Sequence, residues 1–418
     1  MSKNLGTPIK IGILYLFFTL VTYVFIYKEN SSNLVLTVTY CSINFLMLYL
    51  GYYTIIFSKN NLNNTNEFIY QINLNKVNRI IIISSIMTII VSINNISTFY
   101  SEVPNIWEYL LNPGKAYEYV KFINRTNSNV SGSMLQTIIG VFLNISSFFK
   151  YMLVIFLVLY WKKSKFYSKI IGIVAIMFYV LQSFLIGAMI NIGILLFSTI
   201  PAFIYLKNIN SNYKLNLKQK ILILFFITAV GVVILYFLGS RNYIDKNVSF
   251  LEVLQFGLLG IFQYISQGYH GLSTCFDLDF KFTYGSTMFR GLSETLLPYI
   301  GINSDTLFSA SYLIRNQEYS GWKALQTWST IFPWLASDLT FYLVPVLFFF
   351  LGNAMKNVWK KAKDNQNPFA ILLLGQFMNF IFMIPANNQL FHTFGNAMST
   401  IIIVLLYKIS VKKKKIHE

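Results

Sequence analysis

Between residues 240 and 332 the chain gathers the side chains best suited to acid–base and anion chemistry, among them Arg241, His270, Asp277, Asp279, Arg290, Glu294, Asp305 and Arg315. His270, in Gly268-Tyr-His-Gly271, is the only side chain of this stretch whose ordinary pKa, about 6.5, lies near neutrality. It can therefore give or take a proton at physiological pH. Arginine presents a planar fork of donors that matches carboxylate or phosphate oxygens in pairs, so Arg241, Arg290 and Arg315 are candidates for individual anion contacts or for structural ion pairs. Acids slightly outnumber bases here, so the stretch is no basic surface. Asp277-Leu-Asp279 offers two carboxylates, too few for a metal cluster, and Cys41 and Cys275 are too few for a disulfide framework. No metal or other cofactor is expected. Two more titratable groups, Asp338 and His392, lie where apolar runs end.

The elements that must position these groups are membrane helices. Of the 418 residues 55% are hydrophobic and 11% charged, against about 25% charged in soluble domains, and the mean hydropathy is +0.55. The fold class is all-α, a polytopic membrane protein. Apolar runs near the roughly 20 residues that cross a bilayer fall at 11–27, 34–57, 80–99, 135–160, 170–186, 189–206, 221–238, 332–351, 369–384 and 390–407. That pattern predicts about ten transmembrane helices in a single integral membrane domain over 1–418, with residues 240–332 as a large outer loop containing short helices. Within that loop, 250–265 is apolar but short and interrupted by Gly257 and Gly260, which predicts a re-entrant or interfacial helix followed by a turn at Gly268-Tyr-His-Gly271.

Charge placement sets the expected orientation. The net charge of +18 would suit nucleic acid only if the lysines formed a surface, yet most fall in the loops that share a side with the N-terminus. An excess of Lys and Arg marks cytoplasmic loops, so topology accounts for the charge, both termini are expected in the cytoplasm, and no nucleic-acid partner is implied. Lys150 is the awkward residue, inside the fourth run, where a central charge costs about 2.5–3.5 kcal/mol. It faces protein, water or a bound anion, or its stem snorkels to the interface. Trp328, in Trp328-Ser-Thr-Ile-Phe-Pro333, and the aromatics around Tyr284 suit either a sugar-binding face or an interfacial belt.

This layout, with its large loop before the last three spans, resembles the Wzy-type O-antigen and capsule oligosaccharide repeat-unit polymerases. Phe282-Thr-Tyr-Gly285, followed by apolar residues and Pro298, looks like the aromatic-x-Tyr-Gly segment of that family. Residues 327–338 look like its run of aromatic and hydroxyl residues ahead of an Asp-Phe-Gly or similar tripeptide, with Asp338 in the acidic place and Leu339-Thr340 where Phe-Gly is expected. The resemblance implies a glycosyltransferase at the outer face of the bacterial inner membrane. It would move a growing glycan from undecaprenyl diphosphate to a sugar hydroxyl of the next repeat unit, with lipid-linked oligosaccharide, membrane lipid, a chain-length regulator and a flippase as partners. Such chemistry needs a cationic clamp on the departing diphosphate and a base for the attacking hydroxyl. Arg241 and Arg290, then Arg315, are the expected clamp, with Lys150 and Trp328 as further substrate contacts. His270, His392, Asp338 and Glu294 are the candidate bases. Two alternatives remain open: the related O-antigen ligase, and a flippase or transporter of lipid-linked oligosaccharide.

Overall fold

The structure, a computed structural model, describes residues 7–27, 33–54, 72–100, 134–188, 190–209, 231–232, 235–236, 238–239, 249–323 and 327–412. The described residues form helices joined by turns and irregular segments, with no strand among them. In order they form α1 (Thr7–Tyr27), α2 (Leu34–Tyr53), α3 (Leu74–Tyr100), α4 (Met134–Ser146), α5 (Phe149–Tyr160), α6 (Phe166–Leu185), α7 (Ile190–Ile209) and α8 (Phe250–Ser273). Four short or long helices and two closing ones follow: α9 (Arg290–Leu296), α10 (Ser304–Ser309), α11 (Tyr312–Ser320), α12 (Phe332–Asp364), α13 (Pro368–Met383) and α14 (Phe394–Lys412).

Eight of these helical stretches are long and apolar enough to cross a membrane, α4 and α5 counting as one, and α13 is a shorter apolar helix of 16 residues. The chain is therefore a multi-pass membrane protein in its composition and its helices. Of the expected spans, 221–238 lies largely outside the described residues. The fourth is divided at Ser147 and Phe148, and the last begins at Phe394 rather than near residue 390.

The described residues fall into two compact units. The second, formed from stretches within 74–196 and 206–263, contains α3 to α6 and most of α8. Lys150 lies in the first turn of α5 in this unit. Its Nζ lies 5.1 Å and 5.4 Å from the ring centroids of Tyr151 and Tyr179, so the cation is met by two aromatic faces inside a span.

The first unit contains α1, α2, part of α7, the last turns of α8 and everything from residue 264 onward. Its centre is the pairing of α2 with the 33-residue α12. A Cβ on Gly51 would come within 1.9 Å of Phe349 O, and one on Gly352 within 2.1 Å of Leu48 O. Only glycine permits so close an approach of two helix backbones.

α12 is two helical pieces joined at a break. Thr340 has φ 66° and ψ 156°, a region that β-branched residues rarely enter. Before the break, Phe332 to Asp338 are all buried. Beyond it, Pro345 has no N–H to give to the Phe341 carbonyl, and that carbonyl instead accepts from Tyr40 Oη at 3.0 Å.

The segment between α8 and α12 is built by local capping. Ser249 and Glu252 form a reciprocal capping box that starts α8. Asn303 and Ser311 cap α10 and α11 with their side-chain oxygens, and Gly321, at φ 75°, ends α11 in the left-handed conformation.

One expectation is overturned here. The residues Gly268-Tyr-His-Gly271 form no turn; they lie in the last turns of α8. Their glycines serve packing, since a Cβ on Gly268 would meet Pro385 O at 2.0 Å and one on Gly271 would meet Trp322 Nε1 at 2.3 Å. Between them Tyr269 is fully buried, its hydroxyl 2.9 Å from Thr19 Oγ1.

Candidate functional site

The first unit brings two distant stretches together at one carboxylate. Asp338, on the last helical turn before the break in α12, accepts on Oδ1 from Thr283 Oγ1 at 2.5 Å and from Gly285 N at 2.7 Å. Its Oδ2 accepts from Met288 N at 2.6 Å. The neighbouring Ser337 carbonyl accepts from Thr283 N and Oγ1, each at 3.2 Å. That carbonyl would otherwise receive the helical bond from Phe341 N, which a break at Thr340 disrupts. The turn 283–288 is thus held by both the side chain and the backbone at the end of a helix.

The local sequence suits this arrangement. Tyr284 and Gly285 have φ of 53° and 79°, both left-handed, and the turn they open aims the Gly285 and Met288 N–H groups at Asp338. Such concave backbone is a natural anion cradle. Here the anion is Asp338. With its oxygens bonded to three donors, this side chain is a positioning group rather than a free base.

The turn leads directly into α9, whose first residue is Arg290. The guanidinium is 10% exposed, and its Nη2 donates to Asp305 Oδ1 at 2.8 Å and also contacts Glu294 Oε1. These carboxylates are 80% and 47% exposed. The cation is buried while its partners face solvent, so an anionic ligand arriving from solvent can compete with those carboxylates for the guanidinium. The face of Arg290 rests on Phe308, its Cζ 4.0 Å from the ring centroid. Beside it, Glu294, Pro298, Asn303, Ser304 and Asp305 line an open depression of about 500 Å³.

His392 belongs to the same cluster. Its ring meets Trp334 edge to face at 5.3 Å, and Trp334 lies 6.0 Å from Phe308. Burial first, and the positive charge of Arg290 second, push its pKa below the usual histidine value. The imidazole is held neutral and able to accept a proton. Gly291 packs directly on backbone, a Cβ there meeting Thr393 C at 2.1 Å. Gly291 N donates to Phe391 O at 2.8 Å, and Asn388 Nδ2 to Met288 O at 2.6 Å, so the loop before α14 is bonded to α9 and to the turn.

The other candidates separate from this cluster. Arg315 spends its donors on Asp279 Oδ1 and O, both at 2.7 Å, and on Ala310 O at 2.9 Å. Asp277 accepts from Asn33 Nδ2 at 2.9 Å. Among the described residues no three His, Cys, Asp or Glu side chains converge as metal ligands. His270 stacks on Tyr27 at 5.0 Å and meets Trp322 edge-on at 4.9 Å, with burial lowering its pKa. Trp328 packs against Tyr264 at 4.6 Å, and its carbonyl accepts from Trp322 Nε1. Lys150 lies in the second unit, and Arg241 lies outside the described residues.

Sequence assigned no role to Thr283 or Met288 as partners of Asp338, or to Asp305 as the partner of Arg290. For Asp305 a signal was present, the capping residue Asn303 two positions before it, which fixes the start of α10. Buried donors also stand unpaired around the turn. Among the described residues, Ser286 Oγ, Thr287 Oγ1 and Trp334 Nε1 have no hydrogen-bond partner. Buried polar groups are seldom left so.

Two outcomes follow. Asp338→Ala removes the acceptor of three donors, each costing about 1–3 kcal/mol if left buried and unpaired, so hydrogen exchange at the Gly285 and Met288 amides should accelerate well beyond that of α13. Unchanged protection would remove Asp338 as the organiser of the turn. For His392, the sign is set by its lowered pKa: the unfolded chain binds more protons below about pH 6.5. Stability from the neutral ring is present above that pH and lost as pH falls through the window beneath it. The melting temperature of the solubilised protein should drop between about pH 7 and pH 5, and less in His392→Gln; an equal drop in both would contradict the assignment. No protein-family model, no curated protein and no solved structure matches the chain.

Proposed function

We propose that the chain is a membrane glycosyltransferase, a polymerase that joins undecaprenyl-diphosphate-linked oligosaccharide repeat units into a surface polysaccharide such as O-antigen or capsule. The observation that carries this reading is the bonding of Asp338 to the turn 283–288. The two stretches on which the resemblance rests, far apart in the chain, are parts of one unit. A second observation supports it. Thr340 stands where the family's tripeptide has glycine, and its backbone is in a conformation that glycine adopts freely.

On this reading the bond from the anomeric carbon of the growing glycan to the diphosphate breaks, its electron pair leaving with the diphosphate. A hydroxyl of the incoming repeat unit forms the new bond and loses its proton. Arg290, buried and planar, serves the leaving diphosphate, because charge-assisted hydrogen bonds strengthen as negative charge develops there. Asp305 and Glu294 hold the guanidinium until phosphate oxygens replace them. Neutral His392, in the same cluster, takes the hydroxyl proton. Asp338 positions the turn from which Arg290 projects. The site would face the outer side of a bacterial inner membrane, with both termini in the cytoplasm.

The test is the glycan profile of a deletion strain complemented with variants. Loss of a polymerase leaves surface caps of a single repeat, loss of a ligase leaves none, and loss of a flippase traps intermediates inside. Arg290→Ala at wild-type protein level should give the single-repeat profile, with turnover lowered by about 10²-fold or more. Arg290→Lys should recover little, since lysine keeps the charge without the fork. Long-chain glycan of normal abundance in Arg290→Ala would overturn the role of this residue.

A further inference from the structure

We propose that Phe280, Phe282 and Tyr284 form a stacking platform for pyranose rings, a saccharide subsite that extends the site toward the bound glycan. The identity of the sugar as the glycan being extended rests on the glycosyltransferase reading; the platform itself rests on other residues.

Residues 279–283 have no regular secondary structure and lead directly into the turn held by Asp338. The three rings follow one another as direct neighbours, with centroids 6.3 Å apart from Phe280 to Phe282 and 4.7 Å from Phe282 to Tyr284. They are 42%, 48% and 73% exposed. Thr283, between the last two, is fully buried, with its hydroxyl on Asp338. The chain is thus pinned from beneath while its rings stand outward. Tyr284 is held at φ 53°, a conformation that costs free energy in a non-glycine residue and persists only where the surroundings enforce it.

The occupant is argued from what lies among the rings. Asp279 and Lys281 alternate with them, both exposed. Arg315 is tied to Asp279. Charges so placed would have to enter hydrocarbon if the rings lay in a bilayer, which is costly. The exposed residues Leu296, Tyr299, Ile300 and Ile302 make the contrast, because no charged residue interrupts 295–304. That second patch suits lipid. Rings interleaved with charged side chains suit a ligand that is apolar on its faces and polar at its rim, as a pyranose is: C–H bonds lie over the aromatic rings and hydroxyls reach Asp279, Lys281 and the Tyr284 hydroxyl.

The experiment uses the full chain in nanodiscs and, as probe, delipidated surface polysaccharide from the strain that carries the gene. Phe282→Ala and Tyr284→Ala should each weaken binding about threefold to tenfold, whereas Tyr299→Ala should bind as the wild type does. If Tyr284→Ala fails to fold, Phe282→Leu keeps the apolar bulk without the ring face and should still weaken binding. No binding by the wild type, wild-type affinity in the platform variants, or an equal loss in Tyr299→Ala would overturn the proposal. Gene deletion separates the two ideas. Long chains that persist after deletion refute the polymerase reading alone, while long chains lost on deletion but platform variants that bind normally refute the platform alone.

Discussion

The buried carboxylate of Asp338 receives a hydroxyl and two backbone amides from the turn 283–288, and the geometry of the candidate site depends on that interaction. Hydrogen bonds to an ionised acceptor are about twice as strong as neutral ones, and three of them fix the direction in which the chain leaves the turn. Arg290 is the first helical residue after it. The loop 384–393 then closes over the other side, through Asn388 on Met288 and Phe391 on Gly291. Arg290, His392 and the exposed rings of Phe282 and Tyr284 are all placed, directly or one step removed, by the same acceptor.

The cost of this arrangement is carried by α12. A continuous helix would have engaged the Ser337 carbonyl internally; the break at Thr340 releases it to Thr283. Non-glycine backbone in that region costs about 1–3 kcal/mol, and it is tolerated where buried polar groups are satisfied by it. Tyr40 repairs the carbonyl that Pro345 leaves open. The close contact of Gly51 and Gly352 holds α12 against α2 on the far side of the break. Helix packing, rather than the turn itself, supplies the rigidity against which the turn is strained.

Much of this was legible from residue types. The apolar runs located the helices, because bilayer-length hydrophobicity is a strong and local signal. Asp338 and His392 drew attention as isolated titratable groups at the ends of those runs, and Arg290 and Glu294 as charged groups of the stretch 240–332. What sequence hid is what depends on tertiary contact. The glycines of Gly268-Tyr-His-Gly271 looked like turn residues, yet they are helical and there to admit Pro385 and Trp322; glycine serves both purposes with the same letter. Arg315 and Arg290 looked alike as candidate clamps. Only the fold shows that Arg315 is spent on Asp279 and Ala310 while Arg290 faces carboxylates open to exchange. At Leu339-Thr340, where the resemblance expects Phe-Gly, Thr340 adopts a backbone conformation that glycine takes freely, which its letter does not announce.

The most direct measurement is an experimental structure of the full chain in a nanodisc with undecaprenyl diphosphate bound. Diphosphate oxygens should lie against the Arg290 guanidinium, with Asp305 displaced from it and the bonds from Thr283, Gly285 and Met288 to Asp338 retained. Diphosphate bound elsewhere with the Arg290–Asp305 pair intact, or a turn 283–288 released from Asp338, would contradict the assignment of this site.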